Sequence, residues 1–226
     1  MSAWHWRDRP RVTCIVPAYN YATYIGEALD SALAQPLADE LEIVVVDDGS
    51  TDDTPAVVAA YGERVRYVRK DNGGLNSSVE RGLYEARGEF LTLLDADDVW
   101  PADKLALQLS ALEAAPDVDL LFGHVRQFAA DGELGPPQPG RLFGTMLVHR
   151  TALQRVGPFS TEWRVGELME WLLRAREAAL VELMTTDVVL HRRLHAANLG
   201  RARETRVDHV RILREALDRR RGAVGS

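Results

Sequence analysis

With one cysteine among 226 residues, the chain can form no internal disulfide, and Cys14 reads as a small buried residue within an apolar run. No apolar run is long enough to cross a bilayer. The segment from Met1 to Arg11, which carries Trp4, His5 and Trp6, lacks the apolar region of a secretory leader, so the cytoplasm is the expected compartment. Internal repeats and low-complexity tracts are missing too. Positive charge is scarce over most of the length. The net charge is −7, and residues 191–226 hold ten Arg against four acids, which leaves −13 on residues 1–190. So acidic a body argues against nucleic acid as a partner. His191 and His195 have helical i, i+4 spacing, but no acid lies between them in the His-Glu-x-x-His pattern, so a zinc protease is not supported.

What is present fits one compact domain, or two at most. A content of 46% hydrophobic and 27% charged residues is ordinary for a soluble globular chain. The most informative stretch is Phe90-Leu-Thr-Leu-Leu-Asp-Ala-Asp-Asp98-Val-Trp100. An apolar run long enough for one buried strand delivers three carboxylates within four residues: Asp95, Asp97 and Asp98. Carboxylates crowded at a strand end repel one another unless a cation shares them. Oxygen ligands suit a hard ion such as Mg2+ or Mn2+. An isolated pair of such acids is more often a solvated turn, but two upstream features aim at the same place.

Arg11-Val-Thr-Cys-Ile-Val-Pro-Ala-Tyr-Asn20 is an apolar strand that halts at Pro17, followed by Ile25, Ala28, Leu29, Ala32 and Leu33 at helical spacing. Leu41-Glu-Ile-Val-Val-Val-Asp-Asp-Gly-Ser-Thr51 runs from β-branched residues into Asp47 and Asp48. A turn and a second helix with Val57, Val58 and Tyr61 come next. Strand, polar loop and helix thus recur, which predicts an α/β fold with a mostly parallel sheet covered by helices on both faces. In such sheets ligands bind outside the carboxyl ends of the strands, so the polar loops are expected to converge on a nucleotide-plus-metal cleft.

Val12-Thr-Cys-Ile-Val-Pro-Ala-Tyr-Asn20, Val44-Val-Val-Asp-Asp-Gly-Ser-Thr-Asp52, Asn72-Gly-Gly74 and Leu94-Asp-Ala-Asp-Asp98 resemble the successive signatures of family 2 glycosyltransferases, whose Rossmann-like fold is GT-A. The resemblance covers residues 10–125 strongly and 141–200 more loosely. It implies one domain over 1–226, with a donor-binding half at 10–128, an acceptor-binding half at 141–200 and an amphipathic basic helix at 201–226. It also implies an inverting, metal-dependent enzyme that transfers a hexosyl group from a nucleoside-diphosphate sugar. UDP is favoured, with GDP or dTDP allowed. The acceptor is a hydroxyl of a glycan, lipid-linked glycan, peptide or small molecule.

By the same match Asp97 is expected to ligate Mn2+ or Mg2+, with Asp95 positioning the sugar or a metal-bound water, Ala96 bordering the donor and Asp98 supporting the site. His195 is expected to complete the metal shell. Pro17, Ala18 and Tyr19 line the loop that brackets the base. Asp48 falls where the base's N–H edge is read, and Asp47 is expected to fix its loop through backbone N–H groups. Asn72, Gly73 and Gly74 are expected to bring backbone close to the ribose or diphosphate, and Arg192 or Arg193 to neutralise the diphosphate. Two departures stand out. Val79 and Glu80 occupy the usual places of an Arg and an Asn, with Arg81 as the substitute cation. Leu168 stands where the Asp of a Glu-Asp pair is expected. Glu167 is therefore the candidate base, with Glu170 in reserve, although the macrodipole also favours acids in a helix's first turn.

Ala129 to Gly140 is rich in turn formers, which suits either a mobile cover over substrate or a hairpin connection. Thr145 to His149 predicts a strand. Glu167 to Ala179 predicts a helix with Leu168, Trp171, Leu172 and Ala175 on one side. In the tail, Val207, Val210, Leu213 and Leu217 fall on one side, with Arg206, Arg211, Arg214 and Arg221 largely elsewhere. Such a helix packs on its own domain or a second subunit, or lies on an anionic membrane surface. Two competing functions are a nucleotide-sugar-binding protein that has lost transfer, suggested by Val79 and Leu168, and a sugar nucleotidyltransferase. Pro17-Ala-Tyr-Asn-Tyr21 replaces the Gly-rich basic loop that the latter needs.

Overall fold

A computed structural model describes residues 10–129, 132–160, 166–195 and 211–219. The apolar runs become strands β1 (Val12–Ala18), β2 (Leu41–Asp47) and β4 (Phe90–Leu93), with β3 (Arg66–Arg69) at one edge. Helices α1 (Ile25–Leu33), α2 (Thr54–Ala59), α3 (Leu75–Glu85) and α4 (Lys104–Ala114) follow β1 to β4 in turn. The rest comprises β5 (Leu120–Phe128), β6 (Gln138–Pro139), β7 (Leu147–His149), α5 (Arg150–Val156), α6 (Glu167–Glu177) and β8 (Glu182–Arg193). The sheet order is β3-β2-β1-β4-β7-β5-β6, with β8 on β5. The pairings among β3, β2, β1 and β4 are parallel, as is β5 with β8, while β7 is antiparallel to both β4 and β5.

Alternation along each central strand separates two cores. Cys14 and Val16 of β1 and Ile43 and Val45 of β2 join α1 and α4 on one face. Ile15, Val44 and Val46 join α3, α5 and α6 on the other. Burial on both faces is why these strands read as unbroken apolar runs. Pro17 fits a central strand because the β1–β4 register ends at Ile15↔Leu93, so its missing N–H breaks no bond on that side. Gly82 sets how closely α3 rides on β1: a Cβ there would lie 2.3 Å from Ile15 Cγ2.

Three local expectations change. Thr145 does not enter a strand: its Oγ1 donates to Gly140 O at 2.7 Å within a 3-10 turn over Phe143–Thr145, and β7 starts only at Leu147. The turn-rich segment after β5 is a hairpin connection. Gly135 N donates to Gln127 O at 2.7 Å, and Arg126 Nε donates to Gly135 O at 2.7 Å. Over 211–219 the helix buries Ile212 and Ala216, while Leu213 and Leu217 are 49% and 53% exposed. Arg219 pairs with Glu177 of α6 at 3.2 Å. Docking has selected a face beside the expected apolar stripe. Arg206, Val207, Val210 and Arg221 lie outside the described residues. Among the described residues no helix is long and apolar enough to cross a membrane.

Lys104, at the start of α4, is fully buried, with Nζ 2.6 Å from Gln108 Oε1 and 4.8 Å from the centre of the Trp100 ring. Burial pushes its pKa down from 10.5 to about 7, against a small opposing pull from the Cys14 thiol. Between these values the unfolded chain binds the extra proton, so stability rises with pH across that window. Below pH 7 the folded state bears the full cost of a buried ammonium. Lys104→Met is expected to stabilise the protein there by about 1–3 kcal/mol, net of the bond lost by Gln108. The gain should shrink as pH rises toward 10.5. Urea unfolding of both proteins across this range measures it.

Candidate active site

The loops after β1 and β2 are laced together at the carboxyl ends of their strands. Asn20, at a φ of 59°, accepts from Thr51 N at 2.8 Å, and Ser50 Oγ accepts from Asn20 N at 2.9 Å. Asp47, at the end of β2, is fully buried. It accepts from Ser50 N at 2.8 Å, from the Tyr67 hydroxyl, and from Arg69 at 3.2 Å. Burial alone would raise its carboxyl pKa, but these donors outweigh burial and hold it below the usual carboxylate range. Asp48 turns toward the glycine loop, accepting from Lys70 Nζ, from Gly73 N at 2.9 Å and from Gly74 N at 2.7 Å. The carboxylate expected to read a base edge is therefore already bonded by one ammonium and two backbone N–H groups. Pro17 and Ala18 are buried in β1, whereas Tyr19 is 45% exposed beside them.

The three acids after β4 form the centre of the site. Asp98 N donates to Asp95 O at 3.0 Å, closing a turn around Ala96, with Asp97 and Asp98 buried and Asp95 half-buried. The end of β8 crosses this turn. Val99 and His191 exchange backbone bonds of 3.0 and 2.8 Å, Arg193 N donates to Asp98 Oδ1 at 2.8 Å, and His195 Nε2 lies 2.7 Å from Asp97 Oδ2. Burial, reinforced by repulsion within the trio, raises the pKa of both Asp95 and Asp98, and Arg192 offsets part of each shift. Among the described residues the Arg192 guanidinium makes no hydrogen bond or ion pair, and its charge acts on both Asp95 and Asp98.

Glu167 belongs to the same group. It opens α6 after Gly166, whose φ of 96° turns the chain into the helix, and its charge contributes to raising Asp95. Glu170 does not join it. Both of its oxygens are held by Arg174, at 2.8 Å to Oε1 and 2.9 Å to Oε2. The i, i+4 spacing of Glu170 and Arg174 was the sequence signal for that pairing. Arg81 is also elsewhere, paired with Glu85 at 2.7 Å along α3. Val79 is buried in the core, and Glu80 Oε1 accepts from Phe159 N at 2.8 Å. Tyr21 was not singled out in the sequence. Its phenol pKa is pushed up first by burial and then by Asp97, Asp95 and Asp98, which places it at the acidic turn.

Among the described residues no three His, Cys, Asp or Glu side chains close a metal cage. Asp97 and His195 instead engage each other. The donor set still suits a hard cation: burial first, and then mutual repulsion, raises Asp95 and Asp98, and a bound ion would relieve the repulsion.

A mixed α/β sheet with acids at the carboxyl end of its parallel half is the GT-A arrangement. The family model described as glycosyl transferase family 2 matches residues 13–163, and the chain belongs to that family. An uncharacterized glycosyltransferase of Rickettsia prowazekii is 38% identical over 112 residues, which cover 50% of this chain and 35% of that one. An uncharacterized protein of Mycobacterium tuberculosis is 36% identical over 121 residues, or 51% and 35% of the two chains. The matches thus span about a third of these relatives' length. Among solved structures, a Pyrobaculum calidifontis mannosyltransferase in complex with GDP-Man and Mn2+ is similar at a TM-score of 0.72 and 29% identity, covering 93% of this chain and 65% of that one. S. aureus TarS in complex with UDP-GlcNAc shares the fold at 0.70 and 23% identity, covering 85% and 61%.

The Asp98 carboxyl holds its proton to about 8 when folded but releases it near 3.8 when unfolded. Between those values the folded protein carries the extra proton, so metal-free stability falls as pH rises. Asp98→Asn keeps an acceptor for Arg193 N and removes the charge. In chelator above pH 8 it should melt higher than wild type by about 2–4 °C or more, the shift given by 1 kcal/mol in a domain of this size. The difference should fade toward pH 3.8, as thermal melts across pH would record.

Proposed function

We propose that this protein transfers a sugar from a nucleoside-diphosphate donor to a hydroxyl acceptor with inversion at the anomeric carbon. The observation that carries the reading is the convergence of the Asp95–Asp98 turn, Arg192 and Glu167 at the carboxyl end of the parallel strands. Asp97 and His195, with Asp95, would hold Mn2+ or Mg2+. A bound ion supplies Lewis-acid stabilisation of the charge that builds on the departing diphosphate. Arg192 adds a fixed cation on the same side.

Glu167 takes the proton of the acceptor hydroxyl. That oxygen forms a bond to the anomeric carbon while the bond from that carbon to the diphosphate oxygen breaks, and its electron pair leaves with the diphosphate. Tyr19, beside Pro17 and Ala18, offers an exposed ring to the base. Asn72, Gly73 and Gly74, held by Asp48, present backbone to the ribose and diphosphate. The donor base is uracil or guanine on the likeness to proteins bound to UDP-GlcNAc and GDP-Man, with dTDP remaining in the test. The buried Leu168 beside Glu167 favours a second reading, a protein that binds the donor and no longer transfers it.

Two variants separate the readings. With UDP-, GDP- or dTDP-sugars and Mn2+, Glu167→Gln should lower turnover by at least about 100-fold while donor affinity stays near wild type. Asp97→Ala should abolish the metal-dependent thermal shift given by the matching nucleotide. Binding without turnover in wild type, for each donor and a panel of hydroxyl acceptors, would establish the binding-only reading.

A further inference from the structure

Tyr24 and Glu27 belong to none of the sequence signatures, but both reach the end of β8. Tyr24 is the N-terminal cap residue of α1, and Glu27 lies in the first turn of that helix. Arg193, only 15% exposed, donates from Nε to Asp97 O at 2.9 Å and pairs with the Glu27 carboxylate. Its guanidinium also lies over the rings of Phe128, at 4.5 Å, and Tyr24, at 5.1 Å. Two residues on, the His195 ring stacks on the same Tyr24 ring, with centroids 5.2 Å apart and 21° between planes. The two β8-end groups that touch the acidic turn thus share one aromatic support.

These contacts change the role expected for Arg193. A guanidinium fixed by a carbonyl, a carboxylate and two ring faces has little freedom to follow a diphosphate. We infer that Tyr24 and Glu27 are positioning residues that clasp Arg193 and His195 against the Asp95–Asp98 turn and thereby keep His195 beside Asp97, where both can reach a metal ion. The inference rests on the metal-dependent reading above. Arg193 braces the turn through Asp97 O and Asp98 Oδ1, and Arg192 is left to meet the anion. The Tyr24 ring is the working part, since its hydroxyl makes no hydrogen bond among the described residues.

The test is a Mn2+ titration followed by electron paramagnetic resonance of the free ion, with UDP and in parallel with GDP, on wild type, Tyr24→Phe, Tyr24→Leu and Glu27→Gln. Tyr24→Phe should bind Mn2+ as wild type does. Tyr24→Leu and Glu27→Gln should weaken binding, by roughly ten- to a hundredfold for the leucine variant, as loss of a partner that orients a metal ligand commonly does. The apparent KM for Mn2+ should rise in parallel, with kcat largely recovered at saturating metal. Undiminished Mn2+ affinity in Tyr24→Leu and Glu27→Gln, or equal losses in the Phe and Leu variants, overturns the clasp while leaving glycosyl transfer intact. Wild type that binds no Mn2+ with either nucleotide overturns the metal reading and the clasp with it. Glu27 is exposed, so Glu27→Gln keeps the question open to measurement if Tyr24→Leu does not fold.

Discussion

Repulsion among Asp95, Asp97 and Asp98 at the end of β4 is the constraint around which the site is built. Three carboxylates held within one turn, largely out of water, disfavour their own ionised forms. The chain meets this by bringing the end of β8 across the turn: an N–H to Asp98, an imidazole to Asp97, a guanidinium to the Asp97 carbonyl, and the charge of Arg192 nearby. The compensation is incomplete, since Asp95 and Asp98 keep raised pKa values. The remaining imbalance is what a bound cation would relieve.

The opposite wall is governed by α3. Gly82 lets that helix sit close on β1, and from there Asn76 and Glu80 reach outward to backbone atoms of Ser160 and Phe159 at 3.2 and 2.8 Å. Trp171 Nε1 donates to Gly157 O at 3.0 Å, and Arg174 donates to Val156 O at 2.8 Å, so the segment after α5 is held from two helices. The base candidate and its helix therefore stand on a framed support, while the loops after β2 and β3 depend on Asp47 and Asp48. Both acids of that motif spend their hydrogen-bonding capacity on loop architecture.

The central strands and the polar loops at their ends were legible in the sequence because burial on both faces leaves an unbroken apolar run, and an acid at its end marks where the strand meets solvent. The acidic turn was legible for the same reason, whereas the glycine loop and Glu167 at the start of α6 were named through the resemblance to the family's motifs. The short β7 was overdrawn because Thr145 spends its side chain on a turn. The face of the 211–219 helix was misjudged because counting apolar residues favours Leu213 and Leu217, whereas docking beside α6 buries Ile212 and Ala216. Tyr24, Glu27 and Tyr21 escaped notice because contacts that span the whole chain, such as Glu27 with Arg193, leave no periodic trace. Lys104 was equally silent, since a lysine in a helix's first turn ordinarily faces water.

The anchoring of α3 has a consequence for how this chain relates to the rest of its family. Val79 is 1% exposed within the core facing β1 and β2, and Glu80 secures the segment after α5. An arginine at 79 would find no open space. It would drive a guanidinium into an apolar cluster. An asparagine at 80, one carbon shorter, would leave the Phe159 N–H beyond its reach. Neither position accepts such a change without disturbing the core or loosening the segment after α5. In this chain one helix both fills the core against β1 and β2 and ties down the segment after α5, so a change on either side of it is felt on the other.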